Sequence, residues 1–186
     1  DLLMHHHAVD FEWGNHDILW MGAACGNETC IAAAVRNCLS YDNLSILESG
    51  YGISLRTLTL FAQETYPTLP LRDALCHAIT VIMFKLEGQL IARNPDFHME
   101  RRRLLHLLAH GETTVNIDGH EWSARPLPLP TVSPDEPYRL TEGEANVMHA
   151  IKYRFLRSER LQRQIDFLYQ QGRLFRVSDG NLLFHG

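Results

Sequence analysis

The stretch that decides the fold lies near the amino terminus, at residues 9–26, and reads VDFEWGNHDILWMGAACG. Its first five residues alternate between apolar and polar side chains, which is the pattern of a β-strand. Gly14 then allows a sharp turn of the backbone, and the alanine- and leucine-rich sequence of residues 18–39 favours a helix. The stretch therefore predicts a strand, a tight loop and the start of a helix, with Asn15, His16 and Asp17 in the loop.

The rest of the chain predicts mostly helices. Apolar residues at i, i+3 and i+4 spacing indicate a helix most clearly at residues 71–86. Thr141 and Glu144 have the spacing of a capping box, and Ser158 suits the N-cap of a following helix. Further helices are predicted at residues 55–65, 99–108, 141–157 and 158–172, and β-hairpins at residues 113–123 and 174–184, where Asp-Gly turns separate apolar stretches.

This order of elements predicts an α+β (α/β) fold with a large, mainly helical insertion. The strand, loop and helix start at residues 1–24 are assigned to a catalytic core, to which the hairpin at residues 173–186 returns. Residues 25–172 form the insertion. It includes a small β-ribbon near 113–123 and a proline-rich connector at 125–137, which is expected to run extended.

Composition indicates a soluble globular protein. The 186 residues are 45% hydrophobic and 21% charged, and no run approaches the roughly 20 apolar residues of a membrane span. The net charge of -5 argues against a broad nucleic-acid-binding surface. The arginines at positions 101–103 are interpreted as a solvated helix face more readily than as an anion contact. Cys25, Cys30, Cys38 and Cys76 form no Cys-x-x-Cys pair and are expected to be buried free thiols.

The two ends of the sequence, at Asp1 and Gly186, are interpreted as internal to a longer protein, and the three histidines at positions 5–7 as native sequence. The first residues lack the layout of a signal peptide. We therefore predict a cytoplasmic protein without a membrane or nucleic-acid partner, for which an oligomer is possible.

The loop after the first strand carries side chains suited to metal chemistry. The neutral amide oxygen of Asn15 can bind a hard divalent cation, and His16 beside it can donate a proton near neutral pH. Asp17 is expected to anchor the loop. His185 follows an apolar strand and can offer a ring nitrogen to a metal. Taken alone, the loop also fits a surface turn at a helix N-cap, and His185 an ordinary edge residue.

Two short blocks carry a family resemblance. Gly14-Asn15-His16-Asp17 resembles the Gly-Asn-His-Asp/Glu block of the calcineurin-like metallophosphoesterases, and Phe184-His185-Gly186 resembles their later His-Gly block. The chain is more closely similar to the class 3 fructose-1,6-bisphosphatases. The blocks that carry this resemblance are WGNHDILWMGAA at 13–24, GYGI at 50–53, FHME at 97–100, LQR to FLY at 161–169 and GNLLFHG at 180–186.

The resemblance implies part of a calcineurin-like metallophosphoesterase sandwich. It also implies hydrolysis of the 1-phosphate of a sugar bisphosphate, fructose 1,6-bisphosphate, in gluconeogenesis, with manganese (Mn2+) as the metal. Asn15 and His185 become ligands of a dinuclear centre and His16 the proton donor, while Gly14 and Asp17 support the loop.

The sequence departs from the family pattern in the remaining ligands. The family's D-x-H and G-D-x-x-D-R-G blocks do not precede Gly14 in the 186 residues, and its later Gly-His block does not follow His185 in them. Two protein ligands hold a dinuclear centre poorly, because each ion needs about four to six donors. This chain alone is therefore expected to be inactive or nearly so.

Two other interpretations stay open. One is a different calcineurin-like phosphoesterase, such as a protein phosphatase, although the long distance between the two blocks argues against it. The other is a noncatalytic helical binding module built around the arginines at 101–103. Nothing in the sequence identifies substrate-binding residues. The histidines without convincing ligand spacing are His77, His98, His106, His110, His120 and His149.

Overall fold

The computed structural model describes residues 2–6, 8–109, 111, 114–123 and 128–185. Its helices are α1 (Asn15–Ala24), α2 (Glu28–Ser40), α3 (Arg56–Thr65), α4 (Leu71–Arg93), α5 (Leu105–Leu108), α6 (Glu142–Arg157) and α7 (Glu159–Gln171). Its strands are β1 (Phe11–Glu12), β2 (Thr114–Ile117), β3 (His120–Ser123), β4 (Gly172–Arg173), β5 (Phe175–Ser178) and β6 (Asn181–Phe184). The fold is thus a mixture of helix and strand, as the sequence predicted.

The chain divides into two compact units. The first comprises Asp1–Ser54 and Ala150–Gly186, and the second comprises Leu55–His149. The boundary falls within α6. The predicted domain boundaries, after residues 24 and 172, divide the chain by function rather than by packing, and they stay predictions.

The first unit is built around α1, α2 and α7. The prediction of one helix over residues 18–39 is wrong, because the chain breaks between α1 and α2. Gly26 has a positive φ of 84°, which favours glycine, and the Asn27 side chain caps α2 by accepting from the backbone N–H of Cys30 at 3.0 Å. Trp20 is partly buried, and its ring lies 5.6 Å from that of Tyr51 and 6.0 Å from that of Phe155.

The second unit is organised by α4, whose apolar positions are largely buried. By length and composition α4 could cross a membrane, with a mean hydropathy of 1.4 over an 18-residue window. The absence of such a segment was the expectation from sequence. However, 61% of that window is buried inside the fold, and the core helices of soluble proteins can have the same length and hydropathy.

The loops of the second unit differ in part from the predictions. The hairpin is confirmed as β2 and β3, and Asp118 and Gly119 adopt the positive φ values, 52° and 81°, that its turn requires. The helix predicted at residues 99–108 is wrong over its first half, which forms a 3-10 turn at Glu100–Arg102 before α5. Thr113 and the start of the proline-rich connector, at residues 125–127, lie outside the described residues.

The predicted helix caps are half correct. The capping box of α6 forms as predicted, since the Thr141 N–H donates to Glu144 Oε2 at 2.7 Å and the Glu144 N–H donates to Thr141 Oγ1 at 3.3 Å. Ser158 precedes α7, yet its hydroxyl donates to the carbonyl of Tyr51 at 2.7 Å instead of capping that helix. Ser158 therefore ties α7 to the segment before residue 54.

The four cysteines are free, as predicted, but only Cys38 is buried. Cys30 and Cys76 are partly exposed, and Cys25 is exposed at the end of α1. Burial raises the pKa of the Cys30 and Cys38 thiols, which lowers their thiolate fraction. The prediction of four buried thiols is therefore correct for Cys38, met only in part by Cys30 and Cys76, and wrong for Cys25.

Candidate active site

Trp13 fixes the chain immediately before the glycine loop. Strand β1 pairs in parallel with β4, and the Trp13 N–H continues this ladder by donating to the carbonyl of Arg173 at 2.9 Å. The indole N–H donates to the carbonyl of Leu168 at 2.9 Å, and the ring stacks on Tyr169 with centroids 6.2 Å apart. Gly172 makes room for the indole, because a Cβ at this position would collide with it. The backbone hydrogen bond, the indole hydrogen bond and the ring stacking together fix Trp13, the residue before Gly14.

The loop itself turns directly into α1. Gly14 is buried and occupies the N-cap position, and its N–H donates to Asp17 Oδ2 at 2.8 Å. This bond closes the first turn of the helix around Asn15 and His16, which are both exposed. The side chains predicted to bind metal and donate a proton therefore project from a fixed helix start.

His185 lies against Gly14. A Cβ built on Gly14 would stand 2.5 Å from Cδ2 and 2.7 Å from Nε2 of the His185 ring. Both distances are shorter than Cβ contacts in proteins allow, so the imidazole occupies space that any other residue at position 14 would fill. The two sequence blocks, far apart along the chain, thus meet at the residue before Asn15.

A hairpin delivers His185 to this place. Strands β5 and β6 are antiparallel, with Phe175 opposite Phe184, and Asp179 and Gly180 form the turn with φ values of 51° and 78°. Arg176 on β5 forms an ion pair with Asp10, which immediately precedes β1. The ion pair holds the hairpin beside the strand that leads to the loop.

One face of this hairpin is apolar and uncovered. The register places Phe175, Val177, Leu182 and Phe184 on the same face, because residues i and i+2 and their cross-strand partners share a side of the sheet. Their side chains are 58%, 64%, 57% and 62% exposed. A contiguous apolar face of this kind marks a contact surface.

The donors brought together suit a divalent metal, although the set is partial. Asn15 offers an amide oxygen and His185 a ring nitrogen, and both are ligands that manganese accepts. Within the described ranges, no group of three or more His, Cys, Asp or Glu side chains is arranged to hold a metal ion. The described part of the chain thus presents two donors for such an ion, and the roles of Asn15, His16 and His185 stay predictions.

Several other histidines are bonded elsewhere. His77 Nε2 lies 2.8 Å from the carbonyl oxygen of Pro128, and its ring meets the Tyr66 ring edge to face. His106 Nδ1 lies 2.9 Å from the Tyr138 hydroxyl. His110 lies outside the described residues. These contacts give His77 and His106 structural roles within the second unit.

A family model described as Firmicute fructose-1,6-bisphosphatase matches residues 1–186 of the chain. The chain belongs to this family. Three similar proteins are named fructose-1,6-bisphosphatase class 3. That of Clostridium novyi (strain NT) is 41% identical over 203 residues, which cover 99% of this chain and 30% of that protein.

Those of Alkaliphilus metalliredigens (strain QYMF) and Clostridioides difficile (strain 630) are 40% and 42% identical, and each alignment covers 100% of this chain and 31% of the relative. The chain therefore spans about 30% of the length of these class 3 fructose-1,6-bisphosphatases. No solved structure matches it.

Sequence reasoning found the family's functional blocks and missed the residues that hold them. The Trp13 indole in the space left by Gly172, and the ion pair of Arg176 with Asp10, had no recognisable motif. The one available signal was the glycine at the end of α7, where a strand follows immediately. The role of this glycine, Gly172, becomes clear only when the pairing of β4 with β1 is known, because that pairing brings Trp13 against it.

Proposed function

We propose that this chain supplies part of the metal-binding active site of a fructose-1,6-bisphosphatase. In the full-length protein, that enzyme hydrolyses fructose 1,6-bisphosphate to fructose 6-phosphate and phosphate in gluconeogenesis. Family membership and the names of the relatives support this proposal. The observation that carries it is the contact between the His185 ring and Gly14, because it joins the two blocks that the chemistry requires in one place.

Gly14, the first residues of α1 and His185 each have a proposed role. Asn15 and His185 bind manganese through the amide oxygen and a ring nitrogen. When bound, the metal centre polarises the phosphate and makes water a better nucleophile. His16 gives a proton to the departing sugar oxygen, and the N-terminus of α1 favours the negative charge of the phosphate. Asp17 and Gly14 keep these side chains in position through the bond between them.

We also propose that the strands of the first unit belong to a calcineurin-like sandwich completed by other parts of the full-length protein. Strands β1 and β4 form a parallel pair of two residues each, whereas parallel strands normally lie inside larger, covered sheets. The apolar face of the β5–β6 hairpin is uncovered, and an isolated hairpin is marginally stable. The relatives are about three times as long as this chain, which leaves ample sequence to cover both.

The remaining metal ligands come from those same parts, so the 186 residues alone are inactive. The substrate is a sugar bisphosphate, and we assign the full-length enzyme to the cytoplasm, where such phosphates are metabolised. If the 186 residues alone released phosphate from fructose 1,6-bisphosphate, the proposal that the remaining metal ligands lie elsewhere in the full-length protein would be contradicted.

The role of His16 is tested in the full-length protein with manganese and fructose 1,6-bisphosphate. His16→Ala is expected to lower kcat by about 10²–10⁴, the usual contribution of a general acid, while the manganese content stays at the wild-type value. His149→Ala, an exposed position on α6, serves as the control and is expected to keep full activity. A loss of less than about tenfold in His16→Ala would contradict the role.

A further inference from the structure

The second unit contains a partly open apolar cavity that the proposed function does not use. Its volume is about 120 Å³, and it is lined by Phe84, Arg102, Leu104, Leu105, Leu108 and Tyr138. Leu105 is buried and packs with Val81 and Val132 in a small cluster. Phe84 is 44% exposed, so one side of the cavity reaches the surface. Five of the six lining side chains are apolar or aromatic, and the sixth carries a positive charge.

The aromatic wall of the cavity is held in place from several directions. The Tyr138 ring lies on Gly88, where a Cβ would collide with it. The backbone carbonyl of Tyr138 accepts from Gln89 Nε2 at 2.7 Å, and its hydroxyl lies 2.9 Å from His106 Nδ1. The guanidinium of Arg103 covers the ring at 4.7 Å. A ligand entering the cavity would meet a preformed surface, so little ordering is needed on binding.

The positive charge at the cavity has no acidic partner among the described residues. In that part of the chain no carboxylate lines the cavity, and no acidic side chain forms an ion pair with Arg102, which is exposed. The neighbouring Arg103 has a buried Nε that has no hydrogen-bond partner among the described residues. The sequence predicted a solvated helix face here: the helix is replaced by a 3-10 turn at Glu100–Arg102, while Arg101 and Arg102 are exposed, as that prediction requires. An anion at this place would give the Arg102 guanidinium a counterion that no described residue supplies.

We propose that this cavity binds a small organic carboxylate whose apolar body is about one ring in size. A dry cavity of about 150 Å³ lined by aliphatic and aromatic side chains accommodates benzene, so the space observed here suits a single small ring. The carboxylate stays at the open side and accepts hydrogen bonds from the Arg102 guanidinium, whose fork matches its two oxygens. The apolar wall selects the body of the ligand, and the arginine selects its charge.

Benzoate is the probe for this site, titrated calorimetrically into the full-length protein. Binding is expected for the wild type, and Arg102→Met, which keeps an apolar stem and removes the charged guanidinium, is expected to weaken it by at least about tenfold. Arg101→Met is the matched control, because Arg101 is an exposed neighbour that does not line the cavity, and it is expected to change the affinity by less than about twofold. Benzyl alcohol, which keeps the ring without the charge, is expected to bind Arg102→Met and the wild type equally.

Filling the cavity separates specific binding from general charge attraction. Leu108→Trp adds a ring to the lining and is expected to abolish benzoate binding, with the melting temperature measured to verify folding. If this variant does not fold, the comparison of Arg102→Met with Arg101→Met decides alone. Absence of benzoate binding to the wild type, equal losses in the two arginine variants, or unchanged binding in a folded Leu108→Trp protein would each overturn the proposal.

Discussion

A missing side chain lets the two parts of the candidate site meet. Gly14 has no Cβ, and the His185 ring lies where that atom would stand. The same residue donates its N–H to Asp17, so its backbone position is fixed and cannot retreat from the ring. The position of His185 relative to Asn15 and His16 therefore depends on glycine at residue 14.

Gly14→Ala is expected to displace the His185 ring and to lower both manganese affinity and phosphate release in the full-length protein by at least about tenfold, the usual cost of disturbing a metal ligand's surroundings. Bound manganese and activity are the measurements. Gly50→Ala is the control, because its Cβ would meet nothing closer than 3.6 Å, and it is expected to leave both at wild-type values. Equal behaviour of the two variants would show that His185 does not need the space beside Gly14.

At the scale of single residues, the sequence predicted which side chains could bind a metal or donate a proton, and these roles stay predictions. It did not predict that the His185 ring contacts Gly14. Asn15, His16 and His185 were identifiable because amide and imidazole side chains at strand ends suit a metal site. The packing of an imidazole on a glycine backbone carries no local pattern. It depends on the register of β5 with β6 and on the Arg176 ion pair, which join residues far apart in sequence.

Among the elements, α4, the connector and α6 are joined by one buried lysine. Lys85 Nζ donates to the carbonyl of Thr131 at 2.6 Å and to Glu144 Oε2 at 2.7 Å, and both charged side chains are almost fully buried. Burial lowers the pKa of Lys85, while the hydrogen bond and charge of Glu144 oppose that shift. The Glu144 carboxylate also closes the capping box, so the pair orients the start of α6.

Lys85→Met is expected to lower the local stability of α4 by about 3–5 kcal/mol, because the buried carboxylate of Glu144 loses its counterion. Native-state hydrogen exchange of the α4 amides in the full-length protein measures this opening free energy. Adding Glu144→Gln removes the unpaired charge and is expected to restore part of the loss. Arg139→Met, which breaks the exposed pair with Glu136, is the control and is expected to leave the exchange unchanged. An unaltered α4 in Lys85→Met would refute the role of the pair.

The elements themselves were predictable where turn and cap chemistry is local. Both hairpins and the α6 cap follow from Asp-Gly turns and from Thr141 with Glu144. The break between α1 and α2 was not predicted, because the surrounding alanines favour a continuous helix. Gly26, with its positive φ, and Asn27, which caps α2, are the two residues that interrupt it.

At the scale of the whole molecule, the described residues leave one apolar surface of the first unit exposed to solvent. The apolar face of the hairpin, formed by Phe175, Val177, Leu182 and Phe184, has no partner within the first unit. The sequence predicted that this hairpin returns to a larger catalytic core but not which residues cover it, since about 70% of each of the three relatives lies outside the aligned region. The rest of the full-length enzyme is the partner that the proposed sandwich requires.

Val177→Asp is therefore expected to destabilise the full-length protein, because the carboxylate would be buried against the completed sandwich. The melting temperature is expected to fall by several degrees, with a parallel loss of phosphate release. Leu60→Asp on α3 is the control: Leu60 is 58% exposed, close to the 64% of Val177, but lies outside the hairpin. If Val177→Asp is no more harmful than Leu60→Asp, the hairpin face stays uncovered in the full-length protein.

Asn15 and His185 are proposed to bind the same metal centre, and anomalous diffraction at the manganese edge can locate that centre. Crystals of the full-length protein grown with manganese are expected to show an anomalous peak roughly 2.0–2.4 Å from the Asn15 amide oxygen or a His185 ring nitrogen, with its dinuclear neighbour in reach of the other. Manganese peaks that lie far from both side chains, in crystals of active enzyme, would contradict the account.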